Sequence, residues 1–241
     1  MGASSTRIRG VLVPAVVLAA GIGAAGWFIG DGLFDARATD RYVTVRGLSE
    51  RDVAADLVIW PIVFTVTSDD LSSLQRQVRG NATTVRDFLT EVGIEPDEVG
   101  VSAPRVTDRD AQGYASPDRA LDRYVAETTV TVRTGRIDVA RRAMEQAGEL
   151  VGRGVAVIRS YELQTQYLFT GLESVKPEMI AEATRDARSA AEQFAQDSGA
   201  RVGSIRNAQQ GYFSIDDRDP FSPEFKKVRV VTTVQFFLVD D

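Results

Sequence analysis

The chain has 241 residues, 28 basic against 34 acidic, and neither cysteine nor histidine. Missing cysteine removes disulfides, a thiol nucleophile and thiolate metal sites. Missing histidine removes the serine triad and the common zinc sites.

Arg7 and Arg9 precede Val11–Ile29, nineteen residues without a charge. As a helix this run would span roughly 28 Å, close to the hydrocarbon thickness of a bilayer. It reads as an uncleaved anchor over residues 1–30. A cleaved signal ending near Ala36-Arg37-Ala38 is the first alternative and a buried soluble helix the second. The arginines favour a cytoplasmic N-terminus, which puts the rest of the chain in the periplasm, held to a bacterial inner membrane by a single pass. Residues 31–39 read as a polar linker and 40–241 as the folded domain. Without residues 1–38, which hold three arginines and two aspartates, 25 basic and 32 acidic residues remain. So acidic a domain does not suit nucleic acid.

Tyr42–Arg46 alternates as a short strand. The polar stretch that follows, GLSERDVAA, reads as a bend leading to a second strand, Leu57–Thr67. There Val58, Trp60, Ile62, Phe64 and Val66 share one face. Pro61 lacks an amide donor and predicts an edge position or a bulge. Leu71 to Val92 has helical spacing, capped by Ser68, Asp69 and Asp70 and ended by Gly93. Val99–Thr107 and Tyr124–Arg133 are predicted strands joined by a long polar hairpin connection. Ile137–Leu150 reads as a second helix, with Ala140, Met144 and Ala147 inward, and Val155–Leu168 as one strand. A third helix runs from about Val175 to Ser198, with Pro177 in its first turn and Gly199 at its C-terminal cap. Two strands, Val202–Phe213 and Val228–Val239, close the chain.

Two halves look alike. Each runs helix, strand, acidic insert, strand, and the inserts hold Asp108-Arg109-Asp110 and Asp217-Arg218-Asp219. The pattern suggests duplication of a helix–strand–strand unit, with chance matching of Val- and Thr-rich strands as the alternative. The predicted fold is α+β: mainly antiparallel sheet with three helices packed on it. Long hairpins leave strand edges free for another subunit.

The bend at Ser49, Glu50, Arg51 and Asp52 has the residue types of a catalytic loop. Ser49 has no histidine to activate it, and Lys176, Lys226 and Lys227 show no spacing that would serve it, so a structural turn is the better reading. The carboxylates Asp69-Asp70, Asp108 and Asp110, Asp216 to Asp219, and Asp240-Asp241 lack the spacing of a calcium loop and read as solvated. A carboxylate-only hydrolase stays open as a minor alternative. Gly148, Gly152 and Gly154 do not fit a phosphate loop; Gly152 and Gly154 read as a turn. Asn81-Ala82-Thr83 matches a glycosylation triplet by accident, in mid-helix. Trp60, Phe64, Phe236 and Phe237 read as core. No catalytic, cofactor-binding or metal-binding residue is assigned, and no cofactor.

The stretches VTVRGLSERDVAADLVIWPIVF, GLESVKPEMIAEATRDARSAAEQFAQDSGARVGSI and KKVRVVTTVQFFLVD resemble the SIMPL-domain family. Its members are bacterial periplasmic and cell-envelope proteins of largely unknown function, among them an immunogenic envelope antigen of Brucella. The resemblance covers Asp40–Asp241. It implies a periplasmic or membrane-anchored α+β domain without established catalytic residues, which self-assembles into a ring-like or barrel-like oligomer. It also implies a link to envelope stress. The expected function is therefore a non-enzymatic, membrane-anchored periplasmic protein whose partner is itself. A monomeric adaptor or ligand-binding module is the alternative.

Overall fold

A computed structural model describes residues 21–23, 25–27, 41–111 and 122–240. Residues 21–23 and 25–27 are helical. The rest of the expected anchor, Val11–Ile29, and the linker lie outside the described residues. Among the described residues no helix is long and apolar enough to cross a membrane, which says nothing of a strand-built barrel.

Among the described residues from Arg41 onward, ten strands and four α-helices follow in the order β1 (Tyr42–Ala54), β2 (Leu57–Ser68), α1 (Leu71–Glu91), β3 (Val99–Val101), β4 (Arg105–Asp108), β5 (Tyr124–Thr134), α2 (Ile137–Gln146), α3 (Glu149–Gly152), β6 (Val157–Ile158), β7 (Gln166–Leu168), α4 (Leu172–Asp197), β8 (Ala200–Gln210), β9 (Ser214–Asp217) and β10 (Phe225–Asp240), with a single 3-10 turn, Pro96–Glu98, before β3. The class is α+β. One sheet has the order β1-β10-β8, with β9 also on β10. The other has the order β3-β5-β2-β6, with β4 also on β5 and β7 also on β2. Every register determined between strands is antiparallel. The expected three helices become four because the 137–150 helix breaks between Gln146 and Glu149.

The chain forms two compact units. One takes residues up to Ser49, Met179–Tyr212 and Val230–Asp241; the other takes Glu50–Glu178 and Phe213–Arg229. In the second unit all of β5 pairs with β2, from Val58–Thr134 to Ser68–Tyr124. Trp60, Ile62, Phe64 and Val66 pack with Leu74, Val78, Val85, Phe88 and Leu89 of α1. The period-2 face of β2 thus meets the helical stripe of α1, as the spacing predicts. The Asp70 carboxylate caps α1 by accepting from the Ser73 amide at 2.7 Å. Gly93, at φ 95°, follows its C-terminal cap.

In the first unit Val43 of β1 and Val234 and Phe236 of β10 pack on Ala187 and Ala191 of α4. Gly199 follows α4 with φ 67°, as expected of its position.

Several expectations need correcting. Gly47–Ala54 is not a bend: β1 runs to Ala54, and only Ala55 and Asp56 separate it from β2. β2 as a whole is not an edge strand, but its pairing with β6 and β7 is interrupted over Trp60–Ile62, so Pro61 sits at a local irregularity. Val99–Thr107 is split by Ser102-Ala103-Pro104, and Val155–Leu168 forms only β6 and β7 with a loop between. Pro177 lies inside α4 because the helix begins at Leu172. Just before that start the Asp56 carboxylate accepts from the Thr170 amide at 2.7 Å and the Gly171 amide at 2.9 Å, holding the chain as it enters the helix.

Candidate functional site

Three places in the structure are candidates: the polar underside of β1, a charged cleft beside the start of α2, and a largely apolar cleft beside Pro61.

Along β1, exposed and inward residues alternate to the end of the strand. Gly47, Ser49 and Arg51 take inward positions that a sheet usually fills with apolar side chains. A Cβ on Gly47 would collide with the Ala183 carbonyl oxygen and the Ala187 amide of α4, so only glycine lets the strand approach the helix so closely. The Leu48 amide donates to Asp186 at 2.9 Å, and the Ser49 hydroxyl donates to Glu182 at 2.7 Å. Within the other unit, Arg51 donates to Glu178 at 2.7 Å. Glu178, Glu182 and Asp186 recur every four residues on one face of α4.

This accounts for Ser49, Glu50 and Arg51 of the candidate catalytic loop; Asp52 is exposed. Ser49 is buried with its proton committed to a carboxylate. Glu50 lies 3.4 Å from Arg229. Lys176 pairs with Glu173 and Lys226 with Asp217, so neither serves Ser49. The loop is a strand clasped to a helix.

The carboxylate clusters also have structural partners. Asp69 accepts from the Arg123 amide at 3.0 Å. Asp108 holds the Arg123 guanidinium at 2.8 Å, and that hydrogen bond lowers its carboxyl below the usual range. Asp219 accepts from Ser222, Arg218 and the Phe221 amide, in that order of effect, and is likewise lowered. Asp240 pairs with Ala200 in the sheet, and Asp241 lies outside the described residues. Among the described residues no group of three or more acidic side chains could hold a metal ion. Gly152 ends α3, and Gly154, at φ 87°, makes the turn toward β6. Asn81 is within α1. Trp60, Phe64 and Phe236 are core, but Phe237 is half-buried on the other face of its strand. There Arg206 lies 4.1 Å from the Tyr42 ring and 5.9 Å from the Phe237 ring.

The first cleft, about 660 Å³, belongs to the second unit. Ala54, Gly135, Arg136, Asp138, Arg141, Tyr167 and Glu224 are on its wall. Burial raises the Tyr167 phenol, Glu224 adds to the rise, and Arg141 opposes it. Arg136 is committed to Glu98 and Glu95 and Arg141 to Asp138, so most of the charge in this cleft is internally paired. At Glu98, burial works to raise the carboxyl, but hydrogen bonds from Arg136, Thr134 and the Glu95 amide outweigh it and hold it at about 2. Thr134 donates to it at 2.5 Å. The arrangement around Glu98 is a structural clasp.

The second cleft, about 750 Å³, is also in the second unit, between β2, the end of α2, α3 and the loop from Arg159 to Thr165. Its wall is largely apolar, and Arg159 is its one charged residue. Residue-type reasoning missed it, because Val155–Leu168 read as an unbroken strand. The signal available was Pro61, which marks a gap in pairing as readily as an edge.

Residues 43–236 match the SIMPL family, described as a protein of unknown function (DUF541). The chain belongs to that family. No curated protein matches it. Among solved structures, a crystal structure of a hydrolase from Listeria innocua aligns with 79% of this chain and 91% of its own at 15% identity. Its TM-score of 0.18 carries no argument about fold or activity.

Proposed function

We propose that this SIMPL-family protein is a non-enzymatic, membrane-anchored periplasmic protein that self-associates through a strand edge and serves the cell envelope. The observation that carries the reading is β8. Among the described residues it pairs only with β10, and residues 204–210 are exposed. Irregular register confines bulges to the stretch opposite Gln235–Leu238, whereas Asn207–Gln210 pair Thr232–Gln235 without a break. This regular stretch carries no charge and no proline, the features that usually guard an edge. Support for the anchor is the uncharged Val11–Ile29 run behind two arginines. The internal duplication is supported by the helix-then-antiparallel-strands order in both halves.

The edge reading has a selective test. The Gly211 amide donates to the Val231 carbonyl at 2.8 Å, so alternation directs the Gln209 and Asn207 amides toward β10 and the Ala208 amide outward. Ala208→Pro removes an outward donor and leaves the β10 ladder in place. The full chain in detergent should give a discrete oligomer by light scattering, and Ala208→Pro should reduce its mass with unchanged circular dichroism. A wild-type monomer at every concentration would defeat the reading. Protease accessibility in intact and permeabilised cells checks the periplasmic placement.

One observation favours a monomeric adaptor as a second reading. The β9–β10 turn is tied by Arg218, Asp219 and Ser222, yet presents Phe221 with 94% of its surface exposed. An ordered turn displaying an aromatic side chain suits an anchor residue for a partner pocket.

A further inference from the structure

The cleft beside Pro61 has a cause in the strand pairing. On β2, Ile59 pairs with Gln166 and Val63 with Ile158. Three residues, Trp60 to Ile62, therefore face seven, Arg159 to Thr165. The Thr65 amide donates to the Ala156 carbonyl, so the odd-numbered residues of β2 direct their amides to this side. Pro61 stands where the next donor in the gap would be. The opposing segment bows outward, and the space left is the cleft of about 750 Å³.

Trp60, Pro61, Met144, Val151 and Ile158 form its apolar wall. Val151 is 61% exposed and Tyr161, on the bowed loop, 93%. Arg159, the one charged lining residue, is exposed and makes no ion pair or hydrogen bond among the described residues. An extended peptide is poorly served here, because strand addition needs the main-chain donor that Pro61 lacks. A hydrocarbon chain needs no donor, and a cleft of this size suits a small ligand with one polar end.

We propose that this cleft binds a free fatty carboxylate, with its chain on Trp60, Pro61, Met144 and Val151 and its head group on Arg159. This is a function separate from self-association. Arginine supplies the paired donors that a carboxylate accepts. Burying the chain also covers apolar surface that Val151 now exposes.

The chain has two tryptophans, Trp27 and Trp60, so Trp27→Phe leaves a single reporter on the cleft wall. The full-length Trp27→Phe protein, in nanodiscs of unbrominated phosphatidylcholine, is titrated with 9,10-dibromostearate, whose bromines quench on contact. Saturable quenching of Trp60 is expected. Arg159→Gln, with unchanged circular dichroism, should raise the half-saturating concentration about threefold to fivefold. Dibromostearyl alcohol should need about threefold to fivefold more than the acid in the Trp27→Phe protein, and the two should be equal once Arg159→Gln is added. Absent quenching overturns the proposal, as do equal acid and alcohol binding before Arg159 is changed and indifference to Arg159→Gln. Quenching by nanodiscs of brominated phosphatidylcholine without free acid would mean membrane contact, and a Trp60 spectrum that shifts on protein dilution before any probe is added would mean a second copy fills the cleft. Either overturns it.

Discussion

In the second unit α1 places Leu74, Val78, Val85, Phe88 and Leu89 against its strands, while in the first α4 places Ala183, Ala187, Ala191 and Ala195 against its own. Both helices are followed in sequence by antiparallel strands, and both end at a glycine with positive φ. The difference lies in what fills the space between helix and sheet. Around α1, large side chains interdigitate, and stability rests on the volume they occupy. Along α4, small side chains let the backbones themselves approach, with Gly47 at the closest point. Close approach leaves little room for apolar burial, so carboxylates of α4 take the inward-facing Ser49 hydroxyl and the Leu48 amide of β1 instead. The same order of elements thus yields one interface that is sensitive to losing atoms and one that is sensitive to gaining them.

The largest expected effect tests the first half of that contrast. Phe88 is fully buried, and Phe88→Ala should cost about 3–5 kcal/mol through lost burial and a residual cavity. Denaturant unfolding measures the loss, and hydrogen exchange should locate it in β2, β5 and α1. The second half predicts the reverse chemistry at Gly47. Gly47→Ala adds one methyl group where the Ala183 carbonyl and Ala187 amide already stand, and should cost about 3 kcal/mol, with faster exchange in β1 and α4. If Gly47→Ala were neutral while Ala187→Gly proved costly, the close-approach account of this interface would be wrong.

Glu98 sharpens the comparison through pH. Its folded-state carboxyl lies at about 2 against an ordinary 4.5, so the folded protein holds the charged form more tightly than the unfolded chain does. The associated stability is present above about 4.5 and is lost as pH falls from there toward 2. Glu98→Gln should cost about 1–3 kcal/mol at pH 7 by breaking the clasp with Thr134 and Arg136, and should flatten the acid limb of a stability–pH profile. Exchange should report the loss in the second unit.

Much of the fold was legible because hydrophobic period and burial agree. The β2 face from Val58 to Val66, the α1 stripe, the Asp70 cap and the glycines at 93 and 199 all follow local rules. The misread elements are those where tertiary partners override such rules. Gly47, Ser49 and Arg51 looked like a bend because inward strand positions are rarely glycine, serine or arginine. The acids that hold this stretch, Glu178 on Arg51, Glu182 on Ser49 and Asp186 on the Leu48 amide, lie more than 120 residues away. The spacing of those acids by four was visible, but nothing local connects it to β1. Pro61 signalled a missing donor correctly, but whether that means an edge or a gap depends on how the segment from Val155 to Leu168 pairs, and its apolar alternation concealed the bowed loop. Gly171 and Thr170 gave no sign that α4 would start before Pro177, since the carboxylate that holds their amides is Asp56.

The smallest effect comes from two adjacent residues of β1. Ser49 points inward and donates to Glu182 in a part-buried setting. Glu50 points outward to Arg229, across 3.4 Å between two exposed side chains. Ser49→Ala leaves the Glu182 carboxylate without that donor and should cost about 1–2 kcal/mol. Glu50→Ala removes a solvent-screened pair and should cost roughly 0.5 kcal/mol or less, a loss that vanishes in high salt. A catalytic loop would show the opposite ranking: the exposed acid would matter for turnover, and the buried serine would need to reach solvent. Thermal unfolding of the two single variants, at low and high salt, therefore separates a strand clasped to a helix from a reactive turn.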